Sequence, residues 1–143
     1  MEDIWKIELQ NSYRGLNYIV CVNQELGYRC GYVSVPKDHP LYEKSFSSYD
    51  FKPIMLTFSG HMRSFSNDWY IGWDHHHIYD GVDEVVVLEY FKDLPEDERE
   101  KKLTYAQSFV NDPYNLVASK GDVERECEEV IDYLIENKDY EFD

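Results

Sequence analysis

Long hydrophobic runs are missing from this 143-residue chain: nowhere do about 18 apolar residues follow one another, so no segment reads as a transmembrane helix. Basic residues are scarce as well. Fourteen Lys and Arg stand against 29 Asp and Glu, a formal net charge of -15. Such a balance repels phosphate backbones and anionic bilayers, which argues against direct nucleic-acid binding or membrane docking. A protein with a basic surface is the partner that this charge attracts. Glu2, Asp3 and Glu8 stand where a secretory leader would carry positive charge, so a cytoplasmic location is expected.

Glycine is sparse, with seven residues and no Gly-Lys-Ser/Thr run, which removes P-loop and dinucleotide-fingerprint chemistry. No Gly-x-Ser-x-Gly elbow exposes a serine nucleophile, and Ser59-Gly60-His61 does not replace one. Cys21, Cys30 and Cys127 lack metal-ligand spacing, and an odd count in an intracellular chain reads as buried reduced thiols. No cofactor is implied.

Aromatic residues are plentiful. Thirteen Tyr, seven Phe and three Trp supply the apolar bulk for one folded domain over residues 1–143. Residues 4–9 and 16–22 read as strands joined by a turn over 11–15, and 28–35 reads as a third strand, with Tyr28, Cys30, Tyr32 and Ser34 on one face. Pro36 stops that strand, and 36–52 reads as a long surface loop. Within it Tyr42, Phe46, Tyr49 and Phe51 are candidates for a contact surface.

Segments 54–58 and 69–73 read as strands that can pair as a hairpin, and 85–91 as another strand. Residues 93–121 form an acidic insertion or short helix, with Pro95 at the first helical position. In the last element Val123, Cys127, Val130, Ile131 and Leu134 recur at helical spacing behind Asp122 as cap. The expected fold is therefore α+β: a mainly antiparallel, twisted sheet of about five strands with a C-terminal amphipathic helix packed on one face.

The densest chemistry lies in Trp73-Asp74-His75-His76-His77-Ile78-Tyr79-Asp80-Gly81, directly after an expected strand. Three imidazoles and two carboxylates there can bind a transition metal or exchange protons near neutral pH, and His75-His77 supports a metal-dependent hydrolase as a third-ranked reading. Against it stands the plainer reading, in which one His packs, one caps a turn and one is solvated. Consecutive side chains of an extended segment point to opposite sides, so at most His75 and His77 converge without a turn. His39 can join Asp74, His77 and Asp80 across the sheet, or be an ordinary loop residue before Pro40.

Three segments in fixed order carry a family resemblance. The first is Gly31-Tyr32-Val33-Ser34-Val35-Pro36-Lys37-Asp38-His39-Pro40-Leu41-Tyr42; Leu56-Thr57-Phe58-Ser59-Gly60 and Trp69-Tyr70-Ile71-Gly72-Trp73-Asp74 follow. Together with Val123-Glu124-Arg125-Glu126-Cys127 in the final helix, they resemble a family of small phage and prophage accessory proteins of unassigned activity. His75-His76 replaces the Cys-Ala that is usual there, and Ser34 and Asp38 replace glycines. The resemblance puts recurrent polar positions at His39, Asp74, His77 and Asp80, and with Tyr42 and Trp73 these are the expected binding residues. It also implies a phage-encoded protein in the host cytoplasm that inhibits a host defence component, in the manner of an anti-CRISPR protein, through an acidic, aromatic surface. The alternative is capture of a small ligand such as a nucleotide signal, with Arg29, Lys37, Lys44, Lys52 and Arg63 as candidates for phosphate recognition.

Overall fold

A computed structural model describes residues 4–51 and 54–139. The chain opens with a hairpin of β1 (Trp5–Tyr13) and β2 (Leu16–Asn23). Arg14 and Gly15 both have positive φ, 52° and 87°, the twist that a two-residue hairpin turn needs between right-twisted strands. β1 is thus longer than the expected 4–9, and Asn11, Ser12 and Tyr13 pair with Tyr18, Asn17 and Leu16 instead of turning. β3 (Tyr28–Val35) follows with the expected limits.

Beyond Pro36 the chain crosses to the far edge of the sheet, forms β4 (Phe58–His61), and returns as β5 (Trp69–Asp74) between β4 and β3. The order is β1-β2-β3-β5-β4 and every pairing is antiparallel. The anticipated strand over 54–58 lies further along the chain. Ile54 and Leu56 are buried in the main core, and only Thr57, whose N–H donates to the Gly72 carbonyl at 2.9 Å, leads into the ladder.

Residues 85–91 form a helix and not a strand: α1 (Glu84–Tyr90). Its Asp83 cap accepts from the Val86 N–H and is itself held by Arg29, so anchoring of the first turn overrides the strand preference of three consecutive valines. α2 (Glu96–Gln107) begins one residue after Pro95, which is its cap and not its first helical residue, and buries only Ala106. α3 (Lys120–Glu136) starts earlier than Asp122 suggests. Ser119 caps it, and Asp122 returns a hydrogen bond to the Ser119 N–H, completing a capping box.

Val123, Cys127, Val130, Ile131 and Leu134, the apolar stripe seen in the sequence, are all fully buried. They pack on Leu16, Tyr18, Val20, Val33, Val35, Ile71 and Trp73, which share one sheet face. Arg29, on that face near the sheet end, reaches Glu8 at 2.6 Å, Asp83 at 2.9 Å and the Ala118 carbonyl at 3.0 Å, tying β1, α1 and the approach to α3 together. A smaller cluster of Val82, Val87, Ala106 and Val110 holds α1 to α2. Cys21, Cys30 and Cys127 are buried thiols; burial pushes Cys30 up to about 12 and raises Cys127 further, so both stay protonated. Among the described residues no helix is long and apolar enough to cross a membrane.

Candidate functional site

Asp74 ends β5, and the chain then folds through two side-chain-stapled turns. Asp74 Oδ1 accepts from the His76 N–H at 3.0 Å, while its Oδ2 accepts from the Thr57 hydroxyl at 3.3 Å. Asp80 Oδ2 accepts from the His77 N–H at 2.8 Å and lies 2.8 Å from the His77 ring nitrogen Nδ1. Short carboxylates that bond the backbone two or three residues away are what turn a chain at a strand end.

These turns give three neighbouring imidazoles three different environments. His75 reaches α3, where its Nε2 stands 2.7 Å from Glu126 Oε1, the oxygen that also accepts from the Trp73 indole N–H at 3.0 Å. That hydrogen bond raises the His75 pKa above the ordinary histidine value, with burial opposing it. His76 stacks on Tyr28 with 4.1 Å between ring centres and leans on Phe109 at 5.8 Å; burial lowers its pKa. Its buried Nε2 has no hydrogen-bond partner among the described residues. His77 pairs with Asp80 and stacks on Tyr79 at 5.1 Å.

One cavity of about 340 Å³ gathers Trp73, Asp74, His75, His77 and Asp80, with Tyr79, Glu126, Ile54 and Met55 completing its walls. Of the expected binding residues, Trp73, Asp74, His77 and Asp80 do come together. His39 does not join them. It is buried under the Pro-rich loop, where Nδ1 accepts from the Leu41 N–H at 3.1 Å and Nε2 donates to the Leu134 carbonyl at 2.7 Å, and it borders a separate cleft with Arg14, Asp38 and Lys138. Both ring nitrogens are used to clamp the loop on α3, so His39 is a structural histidine. Tyr42 is likewise elsewhere, packed against the main core and edge-on to His61.

Glu126 is the member of the site that the sequence did not disclose, since it lies 51 residues from His75. Its signal was its position beside buried Cys127, at the border of the apolar stripe of α3. Among the described residues no Lys or Arg lines the cavity. Arg29 is consumed by Glu8 and Asp83, and Lys52 lies outside the described residues. The cavity is therefore rich in carboxylates and aromatics, and among the described residues it has no Lys or Arg for a phosphate. Among the described residues no three His, Cys, Asp or Glu side chains are arranged to hold a metal ion.

Beside this cavity the chain exposes apolar surface. Segments 78–82 and 111–117 are laced by hydrogen bonds from the Asn111, Gly81 and Val82 N–H groups to the Ile78, Leu116 and Pro113 carbonyls. Gly81 makes the lacing possible, because a Cβ there would stand 2.2 Å from the Asn115 carbonyl oxygen. Ile78, Tyr79, Val85, Tyr114 and Leu116 are left more than half exposed, Leu116 at 87%. Of the loop aromatics expected to form a contact surface, Tyr49 is buried, Phe51 packs on the core, and Phe46 alone is substantially exposed. The other exposed large aromatics among the described residues are Trp5, Tyr79, Tyr105, Phe109 and Tyr114.

No family model, curated protein or solved structure matches this chain.

Proposed function

We propose that this chain works by binding, and that the surface spanning 78–116 engages a protein with a basic face. One observation carries the reading. Of the eleven large apolar side chains exposed among the described residues, seven lie in this stretch: Ile78, Tyr79, Val85, Tyr105, Phe109, Tyr114 and Leu116. The same stretch holds ten acids against four bases, four of the acids on the solvated turns of α2. Exposed apolar and aromatic side chains concentrated in one acidic stretch suit a protein contact, whereas solitary exposed apolar residues would not need such an account. The resemblance to phage accessory proteins supports a host defence component as the target, inhibited by occupation of its basic surface. A nucleotide-binding reading is less favoured, because Asp74, Asp80 and Glu126 line the cavity and, among the described residues, no Lys or Arg is there to meet a phosphate.

Affinity capture from bacteria co-expressing the tagged chain tests this. A stoichiometric basic protein is expected to be retained at low salt and released as salt rises. The doubly substituted Tyr114→Ser, Leu116→Ser chain and the charge-reversed Glu96→Lys, Asp97→Lys chain should each lose it. Capture of nothing stoichiometric, or equal capture by both variants, would overturn the proposal.

A further inference from the structure

The sheet face opposite α3 carries a second cavity, of about 590 Å³, within the size range of small-molecule sites. Trp5, Ile7, Tyr32, Met62 and Phe65 form its walls, with Cys21 and Ser64 completing them. None of the seven is charged, in a chain where 30% of residues are. An enclosure so free of charge does not suit a phosphate, a carboxylate or a basic side chain.

Three separate features build this cavity. The register of β1 against β2 shifts between Ile7 and Leu9, so the bulge sends Glu8 inward to Arg29 and aims Ile7 at the outer face opposite Cys21; an unbroken alternation would have put Ile7 and Leu9 on the same side. The 62–66 turn is fixed over the sheet by Phe65 and Ser66 N–H bonds to the Met62 carbonyl, and by a Ser66 to Tyr70 hydroxyl contact of 2.7 Å. The aromatic walls are held edge-on by neighbours, Tyr32 by Phe58 at 5.6 Å and Trp5 by Tyr28 at 5.7 Å.

We infer that this outer-face cavity binds an uncharged, flat aromatic small molecule, held against Trp5, Tyr32 and Phe65. Fixed aromatic walls favour a ring that stacks or meets them edge-on, and their rigidity lowers the ordering cost of binding. A second copy of the chain is a poor occupant, because two bodies of net charge -15 repel. The site is separate from the 78–116 surface and stands or falls independently of it.

Titration with the uncharged dye Nile red, displacement by indole, and amide-shift mapping of the wild-type chain test the inference. One dye should bind per chain, with shifts confined to residues 5–7, 21, 32 and 62–65, and indole should compete better than the anionic indole-3-acetate. Ile7→Lys, at a rim position 43% exposed, should weaken dye binding by about tenfold or more with an unchanged melting temperature. If that variant does not fold, Ser64→Trp in the exposed turn fills the same space and should have the same effect. Absence of saturable binding, shifts mapping to 78–116, or concentration-dependent dimerisation protecting these amides would each overturn the assignment.

Discussion

The His75 imidazole and the Glu126 carboxylate meet at 2.7 Å, joining the end of β5 to the second turn of α3. The pair favours a charged His75, whereas the adjacent His76, pressed between Tyr28 and Phe109, is favoured neutral. The two neighbours therefore act on stability with opposite signs. For His75, whose pKa is raised, the contribution is fully present below the unfolded value of about 6.5 and is lost as pH rises through the higher folded value. For His76, lowered by burial, it is present above about 6.5 and is lost as pH falls through the lower folded value.

Ring-proton NMR across pH 4–9 should consequently show His75 titrating above the ordinary histidine range and His76 below it. Glu126→Gln should bring the His75 midpoint down and leave His76 in place. Asp74 and Asp80 also raise both groups in smaller measure, so Asp80→Asn should shift both slightly downward. A reversed order of the two midpoints would contradict the environments described above.

Arg29 presents the opposite case, a cation whose partners are fixed on three sides. Its side chain is 7% exposed, with Glu8 at 16% and Asp83 at 20%. Arg29→Ala should cost about 3–5 kcal/mol in urea unfolding, mostly because two half-buried carboxylates are left without their counter-charge. Arg29→Ala with Glu8→Gln should recover part of that loss. If the single variant costs no more than a surface substitution, the triad does not hold β1 to α1.

The strands and the last helix were legible because their patterns are local. Period-two alternation in 16–22 and 28–35 and three- and four-residue steps in 123–134 survive into the structure, since each face is buried against one uniform layer. Two kinds of error came from information that is not local. Residues 85–91 have strand-like composition, but Arg29, 54 residues from Asp83, anchors the helix cap. His39 and His75 look alike as residue types, and only the path of the chain separates them, His39 ending at the Leu134 carbonyl of α3 and His75 at Glu126. Of the nine residues that line the cavity, Trp73, Asp74, His77 and Asp80 were readable as binding residues; Glu126 was not, because a contact between a strand end and a helix face leaves no spacing in the sequence.

The start of α3 offers a local test. Ser119 accepts from the Asp122 N–H at 3.1 Å and Asp122 accepts from the Ser119 N–H at 3.0 Å, so each satisfies a donor the helix end leaves open. Ser119→Ala should destabilise the fold by about 0.5–2 kcal/mol, and Asp122→Ala by a similar amount. The double variant should cost less than the sum of the two, because either single change already breaks the reciprocal box. Strict additivity in chemical denaturation would show that the two bonds act independently.

Gly81 links packing to the proposed contact surface. Its missing side chain lets 78–82 lie against 111–117, and an alanine methyl would have to displace the Asn115 carbonyl, which is backbone and cannot swing away as a side-chain tip can. Gly81→Ala should thus cost about 1–3 kcal/mol, the usual range for an added methyl in a filled space. It should also splay Tyr79 from Tyr114 and Leu116, so capture of a basic partner should weaken more than the loss of stability alone explains. Measuring both at a temperature where the variant remains folded separates the two effects. Unchanged capture by a folded but destabilised variant would place the contact elsewhere on the molecule.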